Sequence, residues 1–308
     1  EGMSLKSRFY RQLNEKELAE FHFKSGYSHF MEGNLNEAKY ALFEIKEGGS
    51  KYAGPALYYY SHIAYEEKEY ETAIRGFRKL EDDGTFATIV PYYISQLLYL
   101  QKKYYQVIDY APSILPSVTE KREAEIARII GESFYHLEMY NEAIEYLEIY
   151  KNNTRYLNND DRYQLGYAYY KTGNYQQAVD LFEKVVNTES ELGQNAMYHL
   201  ADAYIQLNLK NKARMAFYSA SRLDYDEKIR EDALFNYAAL TLELSYSPFN
   251  EAIRAIEDYI DKYPDSKRIE KAYNLLVMGY MHTKNYLGAL NSIERIKKKS
   301  PEILKAYQ

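Results

Sequence analysis

A small residue recurs in equivalent surroundings at Ala38, Ala73, Val107, Ala143, Ala178, Ala213, Ala252 and Ala289, at steps of 35, 34, 36, 35, 35, 39 and 37 residues. A period of this size, sustained along almost all of a 308-residue chain, excludes one closed core. It requires a linear stack of similar units, none of which buries its apolar surface alone. The clearest copy is YQLGYAYYKTGNYQQAVDLFEKVV at 163–186; others start at Phe21, Tyr58, Ile126, Met197 and Ala272, with weaker ones at 91–111 and 233–259.

In each unit apolar residues recur at helical spacing on both sides of a polar turn, such as Lys171-Thr172-Gly173-Asn174 or Glu32-Gly33-Asn34. Two amphipathic helices per unit are predicted, with glycine supplying the left-handed backbone that ends the first and asparagine capping the second. With only 14 Gly and 7 Pro, the chain lacks the turn density of an all-β protein. Twelve residues before the recurring residue, hereafter the anchor, lies a second small one: Gly26, Ser61, Ser95, Gly131, Gly166 and Ala201, with Ala238 fourteen before in the seventh unit, where two extra residues intervene. The two small positions are expected to let the helices of one hairpin approach closely. Four residues after the anchor come Leu42, Phe77, Leu147, Phe182, Phe217, Ile256 and Ile293, expected to fill the space between hairpins.

This arrangement resembles the tetratricopeptide repeat (TPR) family, whose motif joins a small residue, an aromatic three positions later, an alanine, a large apolar residue and a closing proline. The aromatic is here Phe134, Tyr169, Tyr204 or Tyr280, and Pro264 and Pro301 close two units. The departures are the missing Trp, Val107 and Ala111 in the third unit, and two extra residues within 245–250 of the seventh. The resemblance implies an all-α, right-handed superhelical solenoid of about eight helix-turn-helix units, at about 19–53, 54–87, 88–123, 124–158, 159–193, 194–230, 231–269 and 270–301. Leu5, Phe9, Leu13 and Leu18 make residues 1–18 read as an N-terminal helix or the remnant of a preceding repeat, and 302–308 as a short C-terminal tail. Both ends hint at a piece of a longer array, and the start Glu1-Gly2-Met3 at a trimmed precursor. The spacing and the Tyr- and Lys-rich composition are similar to bacterial envelope TPR proteins, the group with YbgF-like and BamD-like members. That likeness favours the bacterial periplasm or outer membrane over the cytoplasm.

On the first helix of each unit a stripe offset by three and four residues shares one face. It comprises Phe23, Tyr27 and Phe30; Tyr58, His62 and Tyr65; Tyr92, Gln96 and Tyr99; Arg128, Glu132 and Tyr135; Tyr163, Tyr167 and Tyr170; Tyr198, Asp202 and Ile205; Phe235, Ala239 and Leu242; and Asn274, Met278 and Met281. In TPR proteins these positions line a concave groove that takes an extended or helical peptide. Tyrosine suits that task, combining a stiff contact surface with a hydroxyl that reaches backbone groups. In the competing reading the same rings pack against the neighbouring unit's first helix, because Tyr also fills plainly structural positions: Tyr70, Tyr104, Tyr140, Tyr175 and Tyr286, three residues before the anchor. TPR modules that clamp carboxylates use Lys and Asn here, whereas this stripe offers Arg128 alone; Glu66, Glu132, Asp202 and Glu243 favour a neutral or basic ligand.

Other chemistries lack their residues. The chain carries 39 Lys+Arg against 45 Asp+Glu, a net −6, so no global basic excess recruits nucleic acid, and Lys297, Lys298 and Lys299 form only a local run suited to a helix C-terminus. There is no Cys, and the six His are spread over separate units, with His62 and Glu66 or His199 and Asp202 lacking a third ligand. No glycine-rich phosphate loop, nucleophile elbow or HExxH occurs, so no catalytic residue, metal or cofactor is expected. The longest apolar stretch, 87–100, falls short of the ~20 residues that span a bilayer, which argues against direct membrane insertion. The sequence thus points to a non-enzymatic scaffold whose partner is another protein or peptide segment. A glycan-binding module on the same aromatic stripe and a structural solenoid self-associating through its ends are the alternatives, and the oligomeric state is left open.

Overall fold

The computed structural model describes residues 12–118, 120–244, 250–296 and 305. Expectations resting on Leu5, Phe9, Pro301, the lysines at 297–299, the 245–249 insertion and the rest of the 302–308 tail lie outside them. The described residues form sixteen helices and no strand. They come as eight consecutive pairs: α1 (Glu15–Met31) and α2 (Leu35–Phe43), α3 (Ala53–Glu66) and α4 (Tyr70–Arg78), α5 (Val90–Leu100) and α6 (Tyr104–Ile114), α7 (Glu120–His136) and α8 (Tyr140–Asn153), α9 (Asn159–Lys171) and α10 (Tyr175–Phe182), α11 (Glu191–Gln206) and α12 (Lys210–Ser221), α13 (Glu227–Glu243) and α14 (Asn250–Lys262), α15 (Ile269–His282) and α16 (Tyr286–Glu294). We number the hairpins 1 to 8. The chain divides into two compact units, Glu1–Arg155 with hairpins 1 to 4 and Tyr156–Gln308 with hairpins 5 to 8. Within each, a helix packs on its hairpin partner and on the next hairpin.

The anchors are buried throughout, and so are the bulky residues four positions later. The glycines among the small residues twelve positions earlier sit against those bulky side chains in the same hairpin. A Cβ on Gly26 would lie 2.7 Å from Leu42 Cγ, one on Gly131 2.7 Å from Leu147 Cγ, and one on Gly166 3.0 Å from Phe182 Cε1. The bulky residue therefore fills a notch within its own hairpin as well as facing the next. Where the notch is a serine, its hydroxyl turns back to its own helix, Ser61 Oγ donating to Leu57 O at 2.7 Å and Ser95 Oγ to Pro91 O at 2.8 Å. Hairpin 3 keeps Val107 and Ala111 fully buried, and after Pro112 its second helix gives way to a short 3-10 turn, Leu115–Ser117.

The intra-hairpin turns are uniform. In the seven turns that lie among the described residues the backbone is left-handed five residues before the anchor, at Gly33, Lys68, Lys102, Glu138, Gly173, Asn208 and Lys284. The next amide reaches back five residues to close the first helix, as in Asn34 N to His29 O at 2.8 Å, Glu69 N to Ala64 O at 2.8 Å and Asn174 N to Tyr169 O at 2.9 Å. Glycine occupies this position in only two of the seven turns. The expected asparagine caps are also corrected: Asn34 and Asn174 make no side-chain cap bond, and their amides turn to Glu32 and Thr172 instead. Their backbones, near φ −82°, ψ 71° and φ −85°, ψ 63°, leave the extended conformation seen at the true side-chain caps, Asn14 of α1 and Asn158 of α9. Asn285, with a similar backbone near φ −86°, ψ 74°, does cap α16, its side chain accepting from Gly288 N at 3.0 Å, so this backbone does not by itself forbid the bond. Helix α1 begins at Glu15 behind a capping box of Asn14 and Glu17, so Leu18 belongs to the first hairpin and not to a separate leader.

Candidate functional site: the aromatic stripe

The stripe residues stand on the first helix of their hairpins and are half-buried, except Tyr27 and Met278, exposed at 38% and 51%, and Glu132, buried at 5%. In hairpins 1, 2 and 5 they meet a ring of the following hairpin, from the position fourteen residues before its anchor. In hairpin 2 that residue is Tyr59, whose ring meets Phe23, Tyr27 and Phe30 at centroid distances of 6.4, 5.1 and 5.1 Å. In hairpin 3 it is Tyr93, 6.3 Å from Tyr58 and 4.5 Å from His62. In hairpin 6 it is His199, 6.2, 4.9 and 5.4 Å from Tyr163, Tyr167 and Tyr170. Each of these stripe segments is thus a socket for one ring of the next hairpin. A second recurrent contact crosses the turn five residues along the chain: Tyr65 with Tyr70, Tyr99 with Tyr104, Tyr135 with Tyr140 and Tyr170 with Tyr175, at 6.4, 5.8, 5.9 and 6.0 Å. Tyr104 also stacks on His136 at 4.6 Å.

The hydroxyls are committed as well. Tyr170 Oη donates to Asp202 Oδ2 at 3.1 Å and Tyr198 Oη to Asp232 Oδ2 at 2.6 Å, while Tyr99 bonds to Glu132. In each case a tyrosine on one first helix reaches a carboxylate on the next. Burial, reinforced by these acids, pushes all three phenols well above their ordinary range. Burial likewise raises the Asp202 carboxyl, although the Tyr170 bond opposes it. His62 and His199 are pushed down to about 4, first by burial and then by Arg122 and Lys171 respectively, so both rings are neutral near pH 7.

Cations lie on this surface too. Arg128 pairs with Glu132 at 2.8 Å, and Arg122 lies 4.2 Å from the Tyr92 centroid and 5.7 Å from that of Tyr93. Arg268 pairs with Asp232 and lies 5.3 Å from the Phe235 ring. Of the other acids singled out by sequence, Glu243 pairs with Lys210 and Glu66 is exposed. Among the described residues no group of three His, Asp or Glu could hold a metal ion, and no helix is long and apolar enough to cross a membrane.

Sequence reasoning brought the stripe together but missed Tyr59, Tyr93, Arg122, Asp232 and Arg268. A signal existed for the first two, since Tyr59, Tyr93 and His199 share one repeat position, but a stripe drawn within one hairpin does not reveal what the next inserts.

With this geometry in hand, the fold is that of TPR-type helical-repeat proteins. The family profile for anaphase-promoting complex, cyclosome, subunit 3 matches residues 136–220. Two solved structures share the fold. One is the C-terminal part of a TPR repeat-containing protein from Cytophaga hutchinsonii, at TM-score 0.53 and 16% identity over 82% of this chain and 99% of that one. The other is YrrB, described as a TPR protein with an unusual peptide-binding site, at TM-score 0.50 and 18% identity over 68% of this chain and 97% of that one. No curated protein matches the chain.

Proposed function

We propose that the protein is a non-enzymatic interaction scaffold and that the outer edges of its aromatic stripe bind a segment of a partner protein. The observation that carries this reading is the recurrence of half-buried rings at one first-helix position from hairpin to hairpin, each anchored by its neighbours while keeping an edge in solvent. Anchored rings suit binding, because their rotamer entropy has been lost on folding and little remains to be lost to a ligand. YrrB, which shares the fold, is described by its peptide-binding site. A place in bacterial cell-envelope assembly is part of the proposal and rests on repeat spacing and composition.

Panning a random peptide library on the intact chain tests it. Selected peptides should lose at least tenfold in affinity with Tyr27→Ala or Tyr65→Ala and be unaffected by Tyr105→Ala, a ring 71% exposed and outside the stripe. Equal losses at Tyr105 would move the binding face elsewhere.

A further inference from the structure

One acid of the stripe stands apart from the others, and the following inference rests on the stripe being a partner-binding face. Eleven residues before the anchor, hairpin 4 carries Glu132 and hairpin 6 carries Asp202. Glu132 has its counter-ion one helical turn earlier, Arg128, whose Nη1 lies 2.8 Å from Oε1. The residue one turn before Asp202 is Tyr198, and its hydroxyl is given to Asp232 at 2.6 Å. Asp232 is itself neutralised by Arg268 and accepts a further bond from Asn236 Nδ2 at 2.8 Å. Asp202 accepts only from Tyr170 Oη at 3.1 Å, and no Lys, Arg or His among the described residues pairs with it. It is nevertheless only half-buried, so its free oxygen is open to an approaching group.

The surroundings specify what that group should be. Tyr170 and Tyr198 have donated their hydroxyl protons to carboxylates, which leaves both oxygens as acceptors. The patch therefore presents acceptors, a carboxylate and the faces of phenol rings, a combination that attracts cations and leaves neutral donors less favoured. Along the stripe, cations that the chain supplies lie over its rings, Arg122 over Tyr92 at 4.2 Å and, bordering this patch without pairing with Asp202, Arg268 over Phe235 at 5.3 Å and Lys171 over Tyr167 at 5.9 Å. We infer that Asp202, with Tyr170 and Tyr198, receives the guanidinium or ammonium group of an Arg- or Lys-bearing partner segment, completing in trans the pair that Arg128 and Glu132 make in cis.

End-capped tri-arginine and its neutral isostere tri-citrulline, titrated into the intact chain by calorimetry, test this. Tri-arginine should bind saturably and tri-citrulline at least tenfold more weakly. Asp202→Asn should remove that preference, Asp202→Glu should retain it, and Asp224→Asn, in an exposed loop, should leave it unchanged. Equal binding of the two peptides to the unmodified chain overturns the inference without recourse to any variant, as does an undiminished preference in a folded Asp202→Asn protein. A neutral library peptide that loses affinity with the Tyr27 and Tyr65 variants, together with equal binding of tri-arginine and tri-citrulline, would leave the partner-binding face standing and remove the cation receptor alone.

Discussion

His199 occupies the socket that Tyr59 and Tyr93 fill in hairpins 2 and 3, and it fills it as a neutral ring. In the unfolded chain the imidazole takes up its proton near 6.5, whereas in the folded chain it does so only near 4. Between those values the unfolded state binds more protons, so stability falls as pH drops from 6.5 towards 4, and the loss is complete below it. His62 contributes with the same sign. The thermal midpoint should therefore fall more between pH 7 and about 5 in the native chain than in His199→Phe; parallel falls would exclude His199 as the cause. A steric counterpart is Gly131, where a Cβ would lie 2.7 Å from Leu147 Cγ and 3.0 Å from Leu147 N. Gly131→Ala should cost about 1–3 kcal/mol in a denaturant titration, because the backbone cannot yield as a side chain can. The glycine notch was readable in the sequence, since its steric demand admits few residue types. The socket was not, because Tyr and His both satisfy it and the rings that receive them lie a full repeat earlier.

At the scale of elements the turns hold the clearest lesson. Lys68, Lys102, Glu138 and Lys284 adopt φ values of 63°, 57°, 60° and 59°, a region costly for residues with a Cβ. Changing Lys68 or Glu138 to Gly should relieve that cost, less the added freedom of the unfolded chain, for a net gain of up to about 1 kcal/mol per site. Gly33→Ala should lose a similar amount, although no atom lies within 4 Å of the added Cβ, because its φ is +79°. A shift in unfolding midpoint measures both, and no gain at either non-glycine site would show that the turn is held without strain. The helices themselves were legible from their periodicity. Their ends were less so: glycine signalled two turns, and the other five are set by tertiary packing and the backbone bond that closes the first helix, neither of which demands a particular side chain.

For the molecule as a whole, each compact unit has apolar cores of its own. One core cluster runs from Ala178 to Leu276 within the second unit, and another joins Ala19, Leu42 and Ile63 in the first. Four stacked hairpins exceed what a repeat array needs to fold, so residues 156–308 expressed alone should be helical and unfold cooperatively; a non-cooperative, weakly helical product would refute this. The phenol–carboxylate bonds that tie hairpin to hairpin have a further consequence. Tyr204 donates to Glu183, Tyr198 to Asp232 and Tyr280 to Glu257, crossing successive junctions of the second unit, and burial helps push the Tyr280 phenol up to about 12. An unfolded tyrosine ionises near 10, so these junctions lose stability as the pH rises from there through the folded values. The chain has 37 Tyr and no Trp. Alkaline ionisation can therefore be followed in near-ultraviolet absorbance without interference from indole, giving the stack an intrinsic optical readout of its seams coming apart.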